Sequence, residues 1–329
     1  MKKILRITAF ILTLLMFAGC GPAAEVKADD AGDYVLTSTM DENTQAEVSA
    51  ITDAFEKALA DKNAMGIMEY LDENFTVKEE ELNAFFTDAA ADGKNPYEIF
   101  ETYYVNGIKD SDISMRIKKS DEDGNYAMLT PGSNEICATL FVSENEAVSQ
   151  TITLLIARIG GKMKIVWIDT SDSAYYGKTA PEYYESAKKA KEDGKEYLAY
   201  VYAQMMLNIC QPGNLYYYKE TTEITDFVNE MSAWGQEKYP IALDDNHKVH
   251  LVGLALEDVG VVPMLFCQTN VDIKSDGAKA DARKIKDAFL KKYPYMADEF
   301  SKITIHVTNA DPENSTAQAD YEKFVFDMK

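Results

Sequence analysis

Histidine, the side chain most often used for acid–base chemistry near neutral pH, occurs three times in this chain, and none precedes position 247. His247 and His250 stand in the stretch Asp244-Asp245-Asn246-His247-Lys248-Val249-His250, dense enough in acids and imidazoles to raise the question of a metal. A metal needs ligands that converge on one point. With His250 in a strand, His247 three residues earlier faces the other way. The stretch therefore reads as a polar turn entering a strand, with a weak metal site at Asp245, His247 and His250 as the alternative. His306 is isolated in an alternating segment and reads as a partly exposed strand residue rather than a base. Ser186-Ala187-Lys188-Lys189 has the Ser-x-x-Lys spacing of serine acylation, but no Ser-Asp-Asn or Lys-Thr-Gly accompanies it, so it reads as a solvated helix face. Asp172 to Thr179 sits between a strand and a helix, where a phosphate-cradling loop would sit. There Asp172 would aim a carboxylate at the phosphates, and Tyr175 and Tyr176 would fill the cradle, so the segment reads as a linker. No catalytic, cofactor or metal residue is assigned.

Four cysteines remain to be placed. Cys137, Cys210 and Cys267 each have an apolar neighbour and match no zinc spacing. They read as buried thiols, with a Cys210–Cys267 disulfide as the alternative. Cys20 is different. Lys2, Lys3 and Arg6 precede an apolar run from Ile7 to Phe17, which is shorter than the roughly 20 residues of a spanning helix and ends in Phe17-Ala18-Gly19-Cys20. This order is that of an export leader, and its end resembles the lipobox of bacterial lipoproteins, with Phe17 where Leu is commoner. The resemblance implies cleavage before Cys20 and a diacylglyceryl group on its thiol. Residues 1–19 are then a signal peptide and 20–44 a lipidated cysteine with a flexible tether, with a short strand at Tyr34-Val35-Leu36 added to the first domain as the alternative. The location is the extracytoplasmic face of the cell membrane, and the lipid bilayer is the first partner. Two acyl chains anchor stably where one does not.

The formal charge is −22, and loss of Lys2, Lys3 and Arg6 with the leader makes the mature chain about −25. Such a surface repels phosphate backbones and excludes nucleic acid as a partner. It also weakens adhesion to anionic lipids, which leaves the anchoring to Cys20. With 46% hydrophobic residues the chain can build real cores, and its length after cleavage suits two ordinary domains.

The elements follow from periodicity. Val48, Ile51, Phe55 and Leu59 make one helical stripe, with further helical segments at Met65–Leu71 and Glu79–Phe86. Asn95-Pro96-Tyr97-Glu98 reads as a helix start, predicting a helix that carries Ile99, Phe100, Tyr103 and Tyr104 to Asn106. The period then becomes two. Strands are expected around Ile113–Ile117, at Ile136–Val142 and at Val148–Ile159, with a Gly160-Gly161 turn into Met163–Ile168. The stretches "ITDAFEKALADKNAMGIMEYLDENF" and "TLLIARIGGKMKIVWIDTSD" are similar to the opening helices and closing hairpin of the NTF2-like (cystatin-like) superfamily, as in many lipoproteins of Gram-positive bacteria. The resemblance covers 45–172 and implies helices packed on a curved antiparallel sheet. Some members are isomerases or dehydratases that use Asp and Tyr in the cone, but no residue here is matched to those roles.

Residues 173–182 read as a linker, and 183–329 as a second α+β domain. Its expected order is a helix capped at Thr179-Ala180-Pro181-Glu182, a stripe through Tyr197, Val201, Met205 and Ile209, a helix marked by Ile224 to Met231, and a β-β-α-β-β unit. Twenty tyrosines, many adjacent, suit packing or a recognition surface. The expectation is an α+β, membrane-anchored binding protein for a small ligand or an envelope protein partner. The alternative is an extracytoplasmic isomerase, hydrolase or weak metal-dependent enzyme.

Overall fold

Val48, Ile51, Phe55 and Leu59 are all buried on one side of helix α1 (Glu42–Asp61), as spacing by three and four residues requires. The carboxylate of Asp41 caps the helix by accepting the Thr44 N–H at 2.8 Å. The computed structural model describes residues 34–91, 96–245, 247–310 and 320–329. The leader 1–19, Cys20, most of the predicted tether and Asn95 lie outside the described residues. Within 34–44 the tether reading is corrected. Tyr34–Leu36 is strand β1, Thr37 and Ser38 hydrogen-bond the backbone of Tyr104, and α1 begins at Glu42. Tyr-Val-Leu-Thr alternates well enough to pair once an edge is available.

After two 3₁₀ turns and α2 (Glu79–Ala91), the predicted helix over 95–106 is replaced by strand β2 (Glu98–Asn106). Tyr103 and Tyr104 explain the difference. Both are buried, one on each face of the sheet, and an apolar run buried on two sides cannot be told from a helix by period alone. Strands β3 (Met115–Lys118), β4 (Tyr126–Leu129), β5 (Glu135–Ser143), β6 (Val148–Ile159) and β7 (Lys162–Tyr175) follow.

Four of them form an antiparallel sheet in the order β2-β5-β6-β7. Helices α1 and α2 cover one face, where Phe55 meets Phe86 and Phe141 at ring-centroid distances of 5.5 and 5.3 Å. The other face, with Tyr103, Ile136, Ala138, Leu140 and Ala157, is covered by a smaller sheet, β1-β3-β4-β8. Strand β8 (Tyr216–Tyr217) comes from the second half of the chain, so the halves share a core.

The boundary predicted at 172/173 falls inside β7, which runs on to Tyr175. Beyond it lie α3 (Ala180–Glu192), α4 (Glu196–Ile209), α5 (Thr221–Lys238), β9 (Ile241–Ala242), β10 (Lys248–Glu257), β11 (Gly260–Gln268), α6 (Gly277–Lys292), α7 (Met296–Glu299), β12 (Lys302–Thr308) and β13 (Glu322–Asp327). The third sheet has the order β13-β12-β11-β10-β9. Its β11–β12 pair is parallel and is bridged by α6, since parallel neighbours need a crossover. Alternate residues Val261, Leu265 and Cys267 of β11 pack with Ile285 and Phe289 of α6 and with Val201 and Met205 of α4. The chain is thus an α+β protein. No helix among the described residues is long and apolar enough to cross a membrane.

Candidate functional site

The acid and histidine cluster folds into a clamp. The Asp244 carboxylate accepts the backbone N–H of His247 at 2.9 Å, and both its oxygens lie 2.9 Å from Nδ1 of the same imidazole. On the other side Nε2 lies 3.3 Å from Oδ1 of Asp281 on α6. Thr269 donates its hydroxyl to the other oxygen of Asp281 at 2.5 Å. Burial alone would lower the imidazole pKa, but the hydrogen bonds to Asp244 and Asp281 outweigh it and leave it raised. With both ring nitrogens turned to carboxylates, His247 ties the β9–β10 turn to α6. His250 is the bulged residue of β10, between Val249 and Leu251. Among the described residues no three His, Cys, Asp or Glu side chains are placed to hold a metal. Asn246, in the middle of the stretch, lies outside them.

His306, expected to be partly exposed, is buried. Its ring stacks on Tyr321 at 4.5 Å and meets the edge of Phe266 at 4.7 Å. Burial, and then the charge of Lys323, pushes its pKa down to about 4. The expected strand is present, but the neighbour that buries His306, Tyr321, comes from beyond a connection and has no local signal. The three cysteines are free thiols, so Cys210 and Cys267 are not paired. Burial pushes the Cys137 thiol up to about 12. The Ser186 hydroxyl donates to the Glu182 carbonyl at 2.9 Å, on the exposed face of α3.

The first half contains one polar cluster that the sequence reading missed. Arg158 on β6 holds Glu135 on β5 through Nε–Oε2 at 2.6 Å and Nη2–Oε1 at 3.0 Å. It reaches Glu47 and Thr44 of α1 at 2.8 and 2.9 Å. The Tyr104 hydroxyl donates to Glu135 at 2.9 Å. The Arg158 fork, first among several causes, keeps the Glu135 carboxyl below the ordinary range. A general base working near neutrality needs the opposite shift, so this tyrosine–acid pair fastens a helix to a sheet. A second such pair, Tyr175 donating to Asp172 at 2.8 Å, belongs to the core of the second half.

A pocket of about 310 Å³ lies where β7 gives way to α3, lined by Tyr176, Lys178, Tyr183, Tyr202, Glu299, Phe300 and Ser301. It is built from three stretches of chain. Tyr176 has a left-handed φ of 51° and donates its hydroxyl to the Val261 carbonyl on β11. Its ring packs so closely on Gly260 that a Cβ there would come within 2.9 Å. The segment predicted as a linker is therefore strapped to the third sheet. The next residues lead into α3, where Glu182 accepts from the backbone N–H of Thr179 at 2.8 Å, the predicted cap.

Tyr183 of α3 and Tyr202 of α4 pack at 5.4 Å with their rings 48° apart, and the Tyr183 hydroxyl donates to the Tyr175 carbonyl at 3.0 Å. The Lys178 ammonium lies 5.6 Å from the centre of the Tyr183 ring. Glu299, at the end of α7, interacts with the Tyr202 hydroxyl. Burial holds the Tyr176 phenol at about 12 and raises those of Tyr183 and Tyr202, so all three remain protonated donors at neutral pH. The three hydroxyl protons are donated within the protein, so the wall offers ring surface, phenolic oxygens as acceptors, one ammonium and one carboxylate. No protein-family model and no curated protein sequence matches this chain.

Proposed function

We propose that this chain is an extracytoplasmic lipoprotein, anchored through acylated Cys20, that binds a small ligand without transforming it. The observation that carries the binding reading is the pocket of Tyr176, Lys178, Tyr183, Tyr202 and Glu299. Ligand sites are concavities that join apolar surface to a few placed polar groups, and this one sets aromatic rings beside Lys178, Glu299 and Ser301. The groups best suited to chemistry are committed elsewhere. His247 is clamped by two aspartates, Glu135 by Arg158, and no histidine or cysteine lines the pocket.

The N-terminal pattern ending in Phe17-Ala18-Gly19-Cys20 supports export and the anchor. Helices α1 and α2 on one face of the β2-β5-β6-β7 sheet support an NTF2-like first unit. A second α+β unit would begin near Tyr176. The shared β8 and the strapped Tyr176 make the two units a rigid pair in this reading.

Thermal unfolding of the detergent-solubilised mature protein with metals, amino acids, peptides, sugars and small metabolites tests the proposal. One ligand class is expected to raise the midpoint. A flat response across the set would count against small-ligand binding and favour an envelope protein partner.

A further inference from the structure

The charges in the pocket say more about its ligand, on the reading that the pocket is a binding site. Lys178 and Glu299 line the same pocket. Neither is ion-paired to the other, and Lys178 has no ion-pair partner within 4.0 Å among the described residues, although acids outnumber bases 55 to 33 in the chain. Lys188, Lys191, Lys274 and Lys302 each hold a carboxylate directly, while the charge of Lys178 reaches Glu182, whose carboxylate is taken by Thr179. Lys178 instead leans on the Tyr183 ring. An ammonium held over a ring in a concavity keeps its three donors for an anion. Glu299 has the Tyr202 hydroxyl on it, and a carboxylate, with about four lone-pair sites, has acceptor capacity left for a cation.

We infer that the pocket takes a zwitterion of amino-acid to dipeptide size, its carboxylate on Lys178 and its ammonium on Glu299. The Tyr176 ring, the exposed ring of the lining, then faces the ligand's apolar part. Two features weigh against a neutral sugar. Sugars stack on open ring faces, whereas Tyr183 and Tyr202 are turned 48° to each other and only 2% and 4% exposed. A sugar would also bring no counter-charge to Lys178, whose charge reaches Glu182, or to Glu299, which holds the Tyr202 hydroxyl. The volume of about 310 Å³ suits one or two amino-acid residues and excludes a long peptide enclosed on all sides.

The test is titration calorimetry of the full mature protein with free L-amino acids and unmodified dipeptides. The binders are then repeated as their N-acetyl and C-amide derivatives, with a neutral disaccharide beside them. A zwitterion is expected to bind, and capping either end should cost about tenfold or more. Lys178→Met should weaken the unmodified ligand and abolish the penalty of C-amidation. Glu299→Gln should do the same for N-acetylation. Both positions reach solvent, so unchanged melting of the two variants will show that they fold. Equal affinity for capped and uncapped forms, or binding of the disaccharide alone, overturns the zwitterion while leaving a binding pocket. Zwitterion binding that neither variant affects, nor Ser301→Trp, puts the ligand elsewhere and overturns both readings. No binding by any member of the set overturns the zwitterion.

Discussion

Arg158 and Glu135 face each other on neighbouring strands through two parallel N–H···O bonds of 2.6 and 3.0 Å, and the same guanidinium holds the N-terminal turn of α1 through Glu47 and Thr44. A fork-to-fork pair fixes both distance and plane. With the two side chains 23% and 16% exposed, removal of Arg158 leaves the mostly buried Glu135 carboxylate with the Tyr104 hydroxyl but without its counter-charge. Arg158→Met is expected to cost about 2–3 kcal/mol, read by urea unfolding. Arg158→Lys should recover only part of this, because a point charge cannot replace the fork. A loss below about 0.5 kcal/mol would mean that α1 is held by its apolar stripe alone.

The acid limb of stability carries the same signature. The Glu135 carboxyl is lowered in the folded protein, chiefly by Arg158, so its contribution is present above the ordinary carboxylate pKa. It is lost as pH falls through the lowered value. Unfolding free energies of the wild type and Arg158→Met, followed from pH 7 to 3, should converge on the acid side.

His247 and His306 should act with opposite signs. The pKa of His247 is raised from 6.5, so its contribution is fully present below about pH 6.5 and is lost as pH rises through the folded value. That of His306 is lowered from 6.5 to about 4. Its burial is tolerated above pH 6.5 and costs stability as pH falls from there towards 4, by on the order of 3 kcal/mol. His306→Phe should therefore unfold less readily than the wild type at pH 5. Replacing His247 by Gln should flatten the stability profile above pH 6.5. Imidazole NMR titrations check both directions, and a His247 that titrates below 6.5 would contradict the clamp.

Gly213 joins the halves. It has φ +62°, its N–H donates to Ser171 at 2.7 Å, and its carbonyl accepts from Thr153 at 2.7 Å. A Cβ there would meet the Thr153 hydroxyl at 2.1 Å. Gly213→Ala is expected to cost more than about 2 kcal/mol, with faster hydrogen exchange in β8 and β4. An unchanged melting profile would show that the loop does not bind the first sheet.

The anchor has its own test. Cys20→Ser should leave the chain out of the membrane fraction and remove labelling by a fatty acid. Retention of the variant in the membrane would contradict lipidation at that residue.

Helix α1, buried on one face, was legible from its stripe, and β6, buried on both faces over 151–157, from its run of Thr, Ile and Leu. The α1 stripe and the long strand Val148–Ile159 stand where periodicity put them. Strand β2 was not legible, because Tyr103 and Tyr104 are buried on opposite faces and erase the alternation. Contacts that close over long separations left no trace at all. Glu47 and Arg158 are 111 residues apart, His247 and Asp281 34, and Tyr176 and Val261 85. The pocket is such a case. Tyr176 drew notice as a residue of the linker that would fill a phosphate cradle and Tyr183 as one of many adjacent tyrosines, and nothing near Glu299, Phe300 or Ser301 marks them as a wall of the same cavity.

The measurement that bears most directly on the binding function is the ligand-induced midpoint shift of the wild type beside Ser301→Trp, an exposed position where an indole fills the pocket. A ligand at 100 times its dissociation constant should raise the wild-type midpoint by about 5 °C and leave Ser301→Trp unmoved, with equal midpoints for the two unliganded proteins. Equal shifts in both would place the ligand outside the pocket and contradict the assignment of this site.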